Sequence, residues 1–388
     1  VFGLGIPLAC QAGFRDNKDP PPADPSPPPV ESAPEAPRNP DAPPLFPDGL
    51  PVVHQDVPQG IASLSAQTCN GCHYAVHDEW STSSHRGARS SEPFRTAAEA
   101  TSDSPLCTSC HAPLANQQTT QVTSYPGGPL SSAVTQPNES WDATLSQEGV
   151  TCAACHVREG QVIGTNPVAR DAPHPVAVSE ELGTSAFCGT CHQLDWPGAT
   201  EPLYDTWGEW SRSGYAAAGI QCQDCHMPPT TGVVTAGRYQ AHAGHAFDAD
   251  PGRALTILVD MAPGGVTRGE TVDLQLELMN TGAGHSYPTG SPFSAVVVEV
   301  QVVGPEGKPV GKPWQHTLQK QVSEGPPWTV ESDNRIAPGK GVTLPLTLEL
   351  PHKAPSGAGA LEVRLRRTLP DGSLSEPEHV QRIPLSVY

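Results

Sequence analysis

The residues able to do chemistry are concentrated in one pentapeptide pattern that occurs five times. The copies are Cys69-Asn70-Gly71-Cys72-His73, Cys107-Thr108-Ser109-Cys110-His111, Cys152-Ala153-Ala154-Cys155-His156, Cys188-Gly189-Thr190-Cys191-His192 and Cys222-Gln223-Asp224-Cys225-His226. They use ten of the chain's 11 cysteines. Two thiols two residues apart can add to the two vinyl groups on one edge of a porphyrin. The adjoining histidine then reaches the iron, which is the attachment pattern of c-type haem. Zinc also takes Cys-x-x-Cys pairs, but nothing in a zinc site demands histidine after every second cysteine. Repetition favours haem. The sequence predicts five covalently attached c-type haems, with these ten cysteines as attachment points and His73, His111, His156, His192 and His226 as proximal iron ligands.

A sixth ligand is then needed for each iron. The chain has 15 histidines and only three methionines, and methionine ligation would raise the haem potential. The balance predicts bis-histidine haems of lower potential. The distal candidates are His85, His174, His242, His245, His285, His54 and His77. A helix expected from His73 towards His85 would put these two rings about 18 Å apart, so His85 is expected to serve a neighbouring haem. His77, one turn from His73, is read more readily as a propionate or second-layer partner. His242 and His245 share a loop, and His174 sits between Pro173 and Pro175. Glycines around His285 let backbone approach a flat ring. His316, His352 and His379 lie among expected strands and turns and are read as packed or solvated.

The elements that must hold these residues differ along the chain. Residues 1–10 read as a signal-peptide remnant ending at Cys10, a candidate lipidation site. Residues 11–60 form an acidic tether, with Pro20-Pro21-Pro22 and Pro27-Pro28-Pro29 favouring extended polyproline conformation. Residues 61–252 carry the motifs, whose first cysteines follow one another at 34 to 45 residues. Short helices are expected there, one of them over 204–218, and the haems must lie close together. Residues 253–388 show the two-residue alternation of half-buried strands, as in Val272, Leu274, Leu276 and Leu278. The fold class expected is therefore multihaem, mostly short helices and loops around stacked haems, plus an all-β immunoglobulin-like sandwich.

Certain segments resemble the multihaem cytochrome superfamily of hydroxylamine oxidoreductase, pentahaem nitrite reductase and a tetrahaem electron carrier. They are Glu79-Trp80-x-x-Ser83-x-His85, Glu148-Gly149-Val150-Thr151-Cys152, Glu209-Trp210-x-x-Ser213, Gln221-Cys222-Gln223-Asp224-Cys225-His226-Met227-Pro228 and Gly284-His285-x-x-Pro288-Thr289-Gly290. The resemblance implies distal ligation by His85 and His285. It does not carry over enzymatic activity: all five motifs end in histidine, whereas the nitrite reductases place a lysine at the active haem.

The formal net charge is −19, which disfavours nucleic acid and anionic membrane and favours redox partner proteins with basic patches. Covalent haem attachment implies export, to the periplasm or the outer-membrane surface, with membrane contact only through a lipid anchor at Cys10. The function expected is electron transfer by hopping between closely packed haems, with no catalytic residue assigned and the question of enzymatic activity left open. Two alternatives are a multihaem reductase of nitrogen or sulfur oxyanions, and a docking subunit that self-associates into a homo-oligomer or filament.

Overall fold

The alternation read from the last third of the sequence builds two antiparallel sheets around one core. The structure is a computed structural model. It describes residues 55–388 apart from 101–104, 125, 127–133, 167–171, 195–198, 236, 248, 262–264 and 324–327. Cys10, His54 and all but the last few residues of the expected tether lie outside the described residues. One sheet has four strands in the order 309–318, 296–303, 357–367 and 379–387. The other has three, ordered 341–349, 271–280 and 255–261. Register brings like residues face to face, with Leu274 opposite Leu346 and Leu276 opposite Leu344. Leu276, Leu278, Val296, Val298, Val300, Leu318, Val363 and Leu365 are fully buried between the sheets.

Strand Val296–Val303 is buried along its whole length. On its second face Glu299 and Gln301 avoid the cost of unpaired burial through hydrogen bonds. Glu299 accepts from Arg364 Nη1 and Gln315 Nε2, both at 3.0 Å, while Gln301 donates to the carbonyls of Val310 and Gly311. The strand Pro309–Leu318 was not legible in the pattern, because Pro309, Gly311 and Pro313 interrupt it. It lies at the sheet edge, where proline is tolerated.

The expected fold class needs correction in the motif-bearing part. Taken together, the described residues are β-rich, with 24% helix against 37% strand, and small sheets stand where only helices and loops were expected. Three small sheets stand among the motifs: 120–124 with 134–137; 157–158, 161–164 and 176–178; and 229–235 with 238–243. Local chemistry explains two of them. Glu159 and Gly160 both have positive φ, at 49° and 68°, which closes a tight hairpin directly after His156. Thr230, Thr231, Val233, Val234 and Thr235 supply the β-branched side chains that favour a strand.

The longest described helix spans nine residues, Glu92–Ala100. The helix expected to run to His85 instead ends at Ser81, and a new one starts at Ser84. Ser83 makes the break by accepting the Arg86 N–H on its side chain, an N-cap. Ser213 breaks the expected 204–218 helix into Thr206–Ser211 and Gly214–Ala217 in the same way. Among the described residues no helix is long and apolar enough to cross a membrane.

Candidate haem-binding centre

All five motifs fold into or against a short helix: Ala66–Asn70, Pro105–His111, Cys152–His156, Ser185–His192 and Cys222–His226. In the four motifs lying wholly within one helix, the two cysteines stand three residues apart and share a face. The following histidine is the last residue of the helix in each case. For the first motif the helix stops at Asn70, and His73 is the N-cap of Tyr74–Ser81.

Four of the five proximal rings face a second histidine at nearly one distance. Ring centroids lie 6.2 Å apart for His73 and His174, 6.1 Å for His85 and His192, 6.2 Å for His156 and His245, and 6.1 Å for His226 and His285. Two imidazoles bound to one metal through nitrogens about 2.0 Å away put their centroids roughly 6 Å apart. The pairs therefore leave room for one metal each. Among the described residues no group of three or more His, Cys, Asp or Glu side chains could hold a bare ion. Two opposed nitrogens suit a metal whose other positions come from a macrocycle.

Hydrogen bonds set which nitrogen is free. The Nδ1 of His73 lies 2.5 Å from the Val234 carbonyl, that of His156 3.0 Å from Ile163, and that of His245 2.7 Å from Ala243. His285 Nδ1 is 3.1 Å from the Ser286 carbonyl. A carbonyl cannot donate, so Nδ1 carries the proton in each case and Nε2 is left as the metal-binding atom. Burial also keeps these rings neutral, the state that binds metal. It lowers His85 and His245 to about 4, with neighbouring histidines adding to the effect, and it lowers His156, His192 and His285 as well.

The remaining histidines are placed otherwise. His111 donates through Nδ1 to the Ala88 carbonyl at 2.9 Å and stacks on Phe94 at 4.3 Å. Among the described residues no histidine ring faces it. His77 lies against Trp80 at 5.5 Å, and His242 Nε2 meets Glu79 Oε1 at 3.0 Å. Among the ring contacts of the described residues neither opposes the histidine of a motif. His316 stacks on Trp314.

Contacts between motifs order the sites. The thiols, which stand in for thioether sulfurs, pair as Cys69 with Cys152, Cys110 with Cys191 and Cys188 with Cys222. The fourth motif thus touches both the second and the fifth. Glu148, to which the residue types assigned no role, joins the first and third motifs. Its carboxylate accepts from the Ser65 hydroxyl, from Ala66 N at 2.8 Å and from Thr151 Oγ1 at 2.6 Å.

The fold is shared with a known cytochrome. Over 84% of this chain and all of the other, it superposes on a penta-heme cytochrome c552 from Thermochromatium tepidum, with a TM-score of 0.55 and 19% identity. A likeness over 35% of the chain to the C-terminal domain of wzt, covering 74% of that domain at 15% identity, has a TM-score of only 0.22 and carries no argument. No protein-family model and no curated protein matches the chain.

Proposed function

We propose that this chain is a pentahaem c-type cytochrome that carries electrons in the bacterial cell envelope. The observation supporting this most strongly is the set of four histidine pairs at 6.1–6.2 Å, each containing the histidine of a Cys-x-x-Cys-His motif. The shared fold with a pentahaem cytochrome supports the same reading. When bound, the haems supply iron that cycles between Fe(III) and Fe(II).

The chain's own residues do the rest. Ten cysteines hold the groups covalently, so they cannot dissociate on changing charge. The paired histidines would hold the iron from both sides, which would give a lower potential than histidine–methionine pairs. The intermotif thiol contacts suggest a path from the first site through the third, and from the fourth to the second and fifth. His54 remains a further distal candidate, outside the described residues. The acidic surface suits basic redox partners, and the covalent attachment implies export, with Cys10 as a candidate anchor.

A second reading, a reductase of nitrogen or sulfur oxyanions, draws on the lack of a histidine facing His111 among the described residues. The test is one preparation of protein matured in an exporting host. Five haems per chain by pyridine haemochrome, and at least four low-spin ferric signals in the EPR spectrum, are expected. A chain that carries no covalent haem removes the proposal. Rapid haem oxidation by nitrite or tetrathionate would favour the second reading.

A further inference from the structure

Two Glu-Trp-x-x-Ser segments, Glu79-Trp80-x-x-Ser83 and Glu209-Trp210-x-x-Ser213, repeat in sequence without a role in the ligand set. In the structure their main hydrogen bonds repeat. Trp80 Nε1 donates to the Val150 carbonyl at 2.8 Å, and Trp210 Nε1 to the Ile220 carbonyl at 3.0 Å. Both carbonyls lie two residues ahead of a motif's first cysteine, Cys152 and Cys222. Ser83 and Ser213 donate back to Trp80 O and Trp210 O, each at 2.7 Å, and each caps the next short helix.

The glutamates complete the parallel. Glu79 Oε2 accepts the backbone N–H of His245 at 2.8 Å, and Glu209 Oε2 accepts that of Ser286, next to His285, at 3.0 Å. His245 is the partner of His156, which belongs to the Cys152 motif. His285 is the partner of His226, which belongs to the Cys222 motif. In both cases the tryptophan grips the segment just ahead of the motif helix, while the adjacent glutamate grips the loop carrying the facing histidine.

We propose that each Glu-Trp-x-x-Ser segment is a clamp that sets the spacing between the two histidines of one haem site, with Glu79 and Glu209 as positioning residues. The inference rests on the haem reading above. A carboxylate accepting a backbone N–H is a strong, directional bond. It acts on the distal loop's main chain, while the Nδ1 bonds to Ala243 O and Ser286 O orient the rings. Each carboxylate is braced on its other oxygen, Glu79 by His242 Nε2 at 3.0 Å and Glu209 by Arg335 Nη2 at 2.8 Å. This gives His242 a function that is not ligation.

The test uses the complete holoprotein and its Glu79→Ala, Glu209→Ala and double variants, with Glu→Gln at each position as the conservative comparison. Haem content, ferric EPR and CO uptake by the dithionite-reduced protein are measured together. Each alanine variant is expected to keep five haems while one changes from low to high spin, with CO uptake raised by one per chain and by two in the double variant. Glutamine keeps a carbonyl acceptor, so it restores most of the low-spin signal. Unchanged spin states in the alanine variants would overturn the clamp. So would an equal weakening of all five haems, the mark of a general loss of stability. If the alanine variants do not mature, Glu79→Asp and Glu209→Asp, whose carboxylates are one methylene short of the loop N–H, are read by their rate of CO capture, and a rate equal to wild type overturns the proposal. Wild-type protein without covalent haem would instead remove the reading on which the clamp rests.

Discussion

Replacing Arg335 by alanine should cost the protein far more than an ordinary surface charge. Its guanidinium forms an ion pair with Glu209 at 2.8 Å in which both side chains are 8% exposed. It also binds Asp333 in bidentate fashion, with Nε–Oδ1 at 2.8 Å and Nη2–Oδ2 at 2.7 Å, and donates to the Pro288 carbonyl. Removing one member of a buried pair leaves the other charge without its counter-ion, at a cost of about 3–5 kcal/mol. Glu209 would still accept from Ser286 N and Thr289 Oγ1, at 3.0 and 2.9 Å, which places the expected cost near the low end, about 3 kcal/mol. At 2–4 °C per kcal/mol for a domain of this class, the melting temperature should fall by roughly 6–12 °C. Thermal melts followed by far-UV circular dichroism measure it, with Soret absorbance reporting the haem sites. Adding Glu209→Gln, which removes the stranded charge, should make the two losses less than additive. A loss below about 1 kcal/mol, the range of exposed pairs, would refute the reasoning.

Other outcomes follow from the same geometry. His174→Ala and His285→Ala should each open one haem to CO, whereas His77→Ala should leave the wild-type uptake; spectrophotometric titration distinguishes them. His85 and His245 are held near pKa 4 by burial, below the unfolded value of 6.5. In the unfolded chain they bind protons that the native state excludes, so their contribution is complete above pH 6.5 and lost as pH falls towards 4. In the haem-free protein, where Nε2 is open to protons, stability in denaturant melts should therefore fall within that window, and a stability unchanged down to pH 4 would contradict it. Leu276→Ala, at a fully buried core position, should cost about 2–5 kcal/mol in denaturant melts while leaving haem spectra intact after refolding. Electron exchange with a basic partner should slow as ionic strength rises, as the charge of −19 requires; stopped-flow rates independent of salt would speak against electrostatic docking.

The candidate attachment residues stand out in the sequence because their chemistry is local: two cysteines and a histidine must fall within five positions. The histidines that face them in the structure were only partly legible. His85, His174, His245 and His285 were all candidates, but the sequence could not separate His245 from His242, three positions away. What separates them is Glu79, which binds the ring of His242 and the main chain of His245. That choice depends on residues more than 160 positions apart. The C-terminal strands followed from alternation, since Leu274, Leu276 and Leu278 face one core. The small sheets among the motifs did not, because short strands such as Val157–Arg158 and Val176–Val178 contain too few residues to show a period. The helix expected to reach His85 failed for a similar local reason. Ser83 offered the backbone a cap at that point, and an apolar pattern does not register a cap.

The four histidine pairs also have a consequence for how the polypeptide can be cut and assembled. Residues 73 and 174, 85 and 192, 156 and 245, and 226 and 285 overlap in sequence, each span beginning before the previous one closes. There is no position between 73 and 285 at which the chain can be divided without parting a pair. Protease nicks or permuted termini in that interval should therefore damage a site some distance from the break. The last span ends inside the strand-rich third, so that third cannot be deleted as an independent module. Such interleaving makes the contacts strongly non-local, the condition under which loop-closure entropy slows folding. On the proposed haem reading, such a chain would gain most from having its cofactors attached before it collapses, because each covalent anchor would then select its partner loop from a still-open chain.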